Sequence, residues 1–239
     1  NSIYCTKECG RFWTSLWHQS LWPSVGWEYF FITYKHVLEY MEQSQLFAHK
    51  LLHHFLKDSS KRVFISDDDQ CLTGADLIEL AGKKPLRVSR SRIVFCLLEN
   101  TIDSLIGYLS LILNGAVPFM LSSSISRDKL IDLVDIYKPS LIWLPSGMSA
   151  AVFEQKKPLM AQGSYELLDL GHPLVPIHSS LALLLGTSGS TGSSKLVRLS
   201  HENIWSNAKS IAQYLKLDSK EIPVTTLPPS YTFGLSVIH

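Results

Sequence analysis

Cysteine is scarce in this chain, with four in 239 residues. That is too few for the disulfide framework of a small secreted domain, and the spacing suits no zinc template. Cys5 and Cys9 resemble half a metal site, but nothing nearby supplies the second pair. A reducing, cytoplasmic setting follows as the default. An excess of either charge is also missing: 22 Lys and Arg stand against 21 Asp and Glu, a net charge of +1. A near-neutral chain lacks the electrostatic footprint of a nucleic-acid or anionic-membrane binder. No clean transmembrane run is present either. Residues 104–121 come nearest, and Asn114, Gly115 and Pro118 interrupt them where a strand–helix–strand unit would turn. A signal peptide needs an unbroken apolar stretch, and His18, Gln19, Ser20 and Pro23 break the one available.

The hydrophobic residues, at 46%, are those of a globular protein, and the charged fraction of 18% argues against disorder. At about 150 residues per domain the length is roughly one and a half domains. Four of the six tryptophans (Trp13, Trp17, Trp22 and Trp27) crowd into the first 27 residues. Residues 1–45 therefore read as an aromatic-rich N-terminal extension without an assigned role, set apart from residues 46–239.

Leu38, Met41, Leu46, Leu51, Leu52 and Phe55 recur at helical spacing, so residues 37–57 should form a helix. His49 and His53 stand four apart there; without a third ligand they are expected on a solvated face. Residues 62–66 read as a short strand, and Asp67, Asp68 and Asp69 as a turn rather than a calcium loop. Thr73 resembles the cap of a helix at 75–81. Beyond Arg92 the pattern sharpens. Residues 92–98 and 116–121 are continuous apolar runs of strand length, separated by a helical stretch from Thr101 to Leu113 that closes on Asn114-Gly115. Residues 127–136 are again helical and 141–144 again strand-like. Strand, helix, strand, helix, strand implies α/β architecture with parallel pairing and right-handed crossovers. Residues 154–163 are polar, as in a surface loop or short helix, and 181–185 form another buried strand.

Directly behind that strand, residues 186–197 read Gly-Thr-Ser-Gly-Ser-Thr-Gly-Ser-Ser-Lys-Leu-Val. Glycines at 186, 189 and 192 let the backbone turn and present successive amides. Thr187, Ser188, Ser190 and Thr191 add hydroxyl donors, and Lys195 adds a point charge. Together they suit an oligophosphate. The nucleoside-triphosphatase pattern fails, because the lysine lies three residues past Gly192 instead of next to it. The dinucleotide pattern GxGxxG fails because the glycines are spaced by three.

This loop resembles the signature Thr-Ser-Gly-Ser/Thr-Thr-Gly-x-Pro-Lys-Gly of the adenylate-forming enzymes, the family of acyl-CoA synthetases, luciferases and peptide-synthetase adenylation domains. Thr187, Ser188, Gly189, Ser190, Thr191, Gly192 and Lys195 match it. Ser194 stands where Pro is usual and Leu196 where Gly is usual. Leu199-Ser-His-Glu-Asn203, with a helix through Leu215, looks like the segment that follows the loop. Leu227-Pro-Pro-Ser-Tyr-Thr-Phe-Gly234 resembles the next motif, with Tyr231 where many members carry His.

The resemblance implies the parallel-sheet subdomains of the family's large domain, incomplete here. Residues 46–239 would be a partial adenylation domain. It also implies a chemistry: a carboxylate attacks the α-phosphate of ATP with magnesium bound, and a thiol of coenzyme A or a carrier protein takes the acyl group. The loop residues would hold ATP, and Tyr231, Phe233 and Gly234 would line the acyl pocket. The partners implied are a small carboxylate, ATP and a complementing C-terminal chain. The family's adenine, metal and C-terminal lysine motifs have no counterpart in this sequence, so no catalytic residue and no metal ligand is assigned. Phe233, Leu235 and Val237 are expected to form an apolar face without a partner. The alternative reading is a non-catalytic nucleotide-binding relic or regulatory module.

Overall fold

The computed structural model describes residues 47–66, 70–82, 92–186, 196–218 and 221–239. Helix α1 (Phe47–Lys57) is followed by an antiparallel hairpin of β1 (Arg62–Ile65) and β2 (Cys71–Thr73), then α2 (Gly74–Gly82). Next come β3 (Ile93–Leu98), α3 (Ile102–Leu113), β4 (Val117–Ser122), α4 (Arg127–Tyr137) and β5 (Leu141–Pro145). A short α5 (Ser146–Val152) leads to β6 (Pro158–Gln162) and β7 (Tyr165–Asp169). The chain continues with β8 (Leu181–Gly186), β9 (Leu196–Ser200), α6 (His201–Leu215) and α7 (Thr232–Ile238).

Seven strands form one sheet in the order β6-β7-β5-β3-β4-β8-β9. The four central strands run parallel: β3 pairs with β4 and β5, and β4 with β8. The expected α/β architecture with parallel pairing is therefore present. Both margins differ from it, because β7 pairs antiparallel with β5 and β6, and β9 antiparallel with β8.

Alternation along β3 divides the core between the two faces of the sheet. Val94, Cys96 and Leu98 join one hydrophobic cluster, and Phe95 and Leu97 the other. Phe55 of α1, Leu77 of α2 and Leu109 of α3 cover the first face. Leu130 and Val134 of α4 cover the second. This is the outcome of right-handed crossovers: β3→β4 steps one way across the sheet and β4→β5 steps back, so the two helices lie on opposite faces. Where such loops diverge, at the carboxyl ends of the strands, a crevice opens that suits a ligand.

Local chemistry explains the helix boundaries. Thr101 Oγ1 accepts from Ser104 N at 3.3 Å at the start of α3, and Gly115 takes a φ of 78° just beyond its end. Ser126 Oγ accepts from Lys129 N to begin α4. Thr73 Oγ1 accepts from Asp76 N at 3.3 Å, as expected for the cap of α2. At α6, Ser200 and Asn203 form a reciprocal capping box.

Three expectations require correction. Residues 154–163 contain strand β6, an edge strand whose exposed pattern hid it. His53 is 8% exposed instead of solvated, because it sits on the side of α1 that faces the core. Leu235 is buried in the first cluster rather than left on an unpartnered face, since residues 232–238 are helical and turn it inward while Phe233 stays exposed. Asp67–Asp69, Cys5, Cys9, His18 and the N-terminal tryptophans lie outside the described residues.

Candidate functional site

The stretch 187–195, with all seven phosphate-loop candidates (Thr187, Ser188, Gly189, Ser190, Thr191, Gly192 and Lys195), lies outside the described residues. Its two anchors are described. Gly186 ends β8, Leu196 begins β9, and the two are register partners in the antiparallel ladder. The two anchors sit together at the carboxyl edge of the parallel strands. There β4 and β8 run side by side, with Phe119 opposite Leu184 and Met120 opposite Leu185.

A cavity of about 350 Å³ opens at this edge. Phe119 and Leu121 of β4, with Ile125, Leu133 and Tyr137, give it apolar walls. Ser122, Ser124, Ser126 and Lys129, at the turn into α4, make its polar side. Gly186 and Leu196 border it, as do Ser230 and Tyr231 from the segment before α7. No Asp or Glu is among its described lining residues.

The segment carrying Ser230 and Tyr231 is held by backbone contacts. Asn100 Nδ2 donates to Leu227 O at 3.1 Å, fixing the segment to the loop beyond β3. Tyr231 N donates to Pro228 O at 3.1 Å, and Leu235 N to Tyr231 O at 3.0 Å. The Tyr231 side chain is 55% exposed and that of Phe233 is 69% exposed. Gly234 is buried, and a Cβ there would come within 2.6 Å of the Leu227 carbonyl oxygen. Of the three substrate-pocket candidates, only Tyr231 borders the cavity. Phe233 points its bulk toward solvent, and Gly234 is a packing requirement of the turn.

Behind the site, the groups are held neutral. Burial raises the Tyr108 phenol well above its ordinary value, and burial also pushes the Cys96 thiol up. Among the described residues no group of three or more His, Cys, Asp or Glu could hold a metal ion.

The adenylate-forming family's motif points to the loop; Ser122, Ser126, Lys129 and Ser230 escaped it. Only a hydroxyl-rich turn behind a buried strand (Ser122, Ser123, Ser124 and Ser126) hinted at their involvement. Comparison with known proteins bears on the whole arrangement. The AMP-binding enzyme family model matches residues 46–239. The chain belongs to the AMP-binding, adenylate-forming enzyme family. The fold agrees: apo MatB from Rhodopseudomonas palustris superposes with a TM-score of 0.65 at 19% identity, covering 82% of this chain and 42% of MatB. MenE from Bacillus subtilis, an O-succinylbenzoate coenzyme A synthetase solved with AMP, gives a TM-score of 0.61 at 19% identity, covering 79% and 51%. Rv1013 of Mycobacterium tuberculosis, a protein whose ligase role is itself inferred, is 34% identical over 87 residues, which is 33% of this chain and 16% of that protein. The chain spans about half the length of these solved structures. No helix among the described residues is long and apolar enough to cross a membrane.

Proposed function

We propose that this chain supplies the phosphate-binding part of a ligase that activates a small carboxylate through an acyl-adenylate. The observation that carries the reading is the position of Gly186 and Leu196, which border a cavity at the carboxyl ends of parallel strands and flank, in sequence, a Gly/Ser/Thr stretch ending in Lys195. Membership of the adenylate-forming family supports it, as do neighbours solved with ATP or with ATP and magnesium.

In the step proposed, a carboxylate oxygen attacks the α-phosphorus of ATP, and the bond to the bridging oxygen of the β-phosphate breaks. The acyl-adenylate forms and pyrophosphate leaves with the electron pair. Such chemistry is mainly positioning and stabilisation of charge. The amides and hydroxyls of Thr187, Ser188, Gly189, Ser190, Thr191 and Gly192, with the Lys195 ammonium, would hold the departing phosphates. Magnesium would arrive with the nucleotide, since no described acid lines the cavity. Tyr231 would border the acyl site, with Phe233 and Gly234 on the same turn. Coenzyme A or a carrier-protein thiol would accept the acyl group, in a cytoplasmic setting, with further catalytic groups from a complementing C-terminal chain. Residues 46–239 would form this part of the adenylation domain, with 1–45 as an extension.

Calorimetry of ATP with magnesium tests the reading. Lys195→Ala should weaken binding by about tenfold or more, equivalent to about 1.4 kcal/mol. Equal affinities in the two proteins overturn the loop assignment. Carboxylate-dependent exchange of pyrophosphate into ATP separates the two functional readings. Exchange supports the ligase; ATP binding without exchange supports the nucleotide-binding module.

A further inference from the structure

A side-chain hydrogen bond ties the turn before α7 to the carboxyl end of the central strand. Asn100 Nδ2 donates to Leu227 O at 3.1 Å, across 127 positions of sequence. Asn100 lies just past the end of β3, which has β4 on one side and β5 on the other. The chain steps from β3 to β4 and then back across β3 to β5, and ligand crevices open at such reversals. The loop carrying Asn100 is held from both sides. Glu99 N donates to Ser104 Oγ at 3.0 Å, Ser104 N donates to Thr101 Oγ1 at 3.3 Å, and the Asp103 carboxylate accepts from Ser164 N at 2.9 Å. The Asn100 amide is therefore a fixed point relative to the sheet.

From Leu227 the constraint passes to Tyr231. Tyr231 N donates to Pro228 O and Leu235 N to Tyr231 O, while Gly234 closes on the Leu227 and Pro228 carbonyls. A shift of Leu227 O thus moves the turn and the start of α7 together. Thr225 Oγ1 also reaches Leu227 O, at 3.5 Å, but it lies on the same segment and cannot anchor it to the sheet. Asn100 and Leu227 are both exposed, so water competes for their bond and it adds little to global stability. What it supplies is position, because Tyr231 borders the cavity.

We propose that Asn100 is a positioning residue for carboxylate activation, acting through Leu227 O to hold Tyr231 at the border of the cavity. The inference rests on the adenylation reading, with Tyr231 beside the acyl site, and adds the group that sets that border. Asn100 itself touches no reacting atom. Its hydrogen bond fixes where the tyrosine meets the bound acid, and a misplacement of about 1 Å is enough to cost binding or rate.

Carboxylate-dependent exchange of pyrophosphate into ATP tests the assignment on the full chain, using the acid that gives the parent its fastest exchange. Asn100→Ala should raise the KM for that acid by about fivefold or more and leave the KM for ATP within about twofold. Its melting temperature should stay within about 2 °C of the parent. Asn100→Asp keeps the size and loses the amide donor, so it should match Asn100→Ala. Tyr231→Ala should raise the same KM, and adding Asn100→Ala to it should change little further, since both act through one side chain. An unchanged KM for the acid in Asn100→Ala overturns the assignment, as do additive losses in the double variant. A fall in melting temperature with both KM values rising together also overturns it, because a purely structural role does that. Failure of the underlying reading looks different: the parent then shows no exchange with any acid, and the assignment falls with it.

Discussion

Tyr108 Oη and His239 Nε2 lie 2.6 Å apart, joining the middle of α3 to the residue that follows α7. The two rings stack at 6.1 Å, and Phe47 of α1 meets the same imidazole edge-on at 5.0 Å. Helix α7 carries Phe233 and Gly234 and follows Tyr231 directly, so this pair helps fix the turn that borders the cavity.

The pair predicts a pH dependence. Burial lowers the His239 imidazole from its ordinary 6.5 to about 4. Between those values the unfolded chain binds a proton that the folded chain does not, so stability falls as the pH drops from about 6.5 toward 4. The loss accumulated by about pH 4 is on the order of 3 kcal/mol, and little of it is felt at neutral pH, where the imidazole is unprotonated in both states. Urea unfolding of the parent and of His239→Gln at pH 7, 6 and 5 measures it. The parent should lose more stability than the variant across this range; parallel losses would show that His239 is not the group titrating.

A second prediction concerns Gly107 on α3 and Trp143 on β5. A Cβ on Gly107 would overlap the indole ring, which is fully buried and donates from Nε1 to Ser104 O at 3.1 Å. In an exposed helix interior, Gly→Ala gains about 0.5–1 kcal/mol. Overpacking a core costs about 1–3 kcal/mol. Since the overlap is with a large, immobile ring also stacked on Tyr165 at 5.4 Å, the second effect should win. Gly107→Ala is expected to unfold at lower urea, and adding Trp143→Phe should recover part of the loss. A stabilised Gly107→Ala would contradict this packing.

These contacts show what the sequence made legible and what it did not. Strands β3, β4 and β5 and helices α3 and α4 were readable because each is a contiguous apolar or periodic run, with α3 closing on Asn114-Gly115. The edge strand β6 was not, because Pro158–Gln162 has no buried residue and its apolar residues Leu159, Met160 and Ala161 are consecutive instead of alternating with polar ones. The antiparallel margins were also hidden, since pairing such as Leu141 with Asp169 is decided by long-range packing. The same division holds at the site. The stretch 187–195 stood out because its residues are adjacent in sequence. The cavity could not, because Phe119, Tyr137, Gly186 and Ser230 meet only through the sheet order.

The last prediction separates the packing role of Gly234 from substrate contact. Its Cα faces the Leu227 and Pro228 carbonyls, and Ala there would push against both, with little room to yield because the opposing atoms are backbone. Gly234→Ala should cost about 1–3 kcal/mol. The strain should act locally, speeding amide hydrogen exchange at Tyr231 and Leu235, whose N–H groups donate to Pro228 O and Tyr231 O. Asn100→Ala, which removes the 3.1 Å bond to Leu227 O, should loosen the same turn without any steric push. If both variants accelerate exchange at Tyr231, the position of this residue beside the cavity depends on the anchored turn. If Gly234→Ala leaves exchange and stability unchanged, the close approach of α7 to residues 227–228 is wrong.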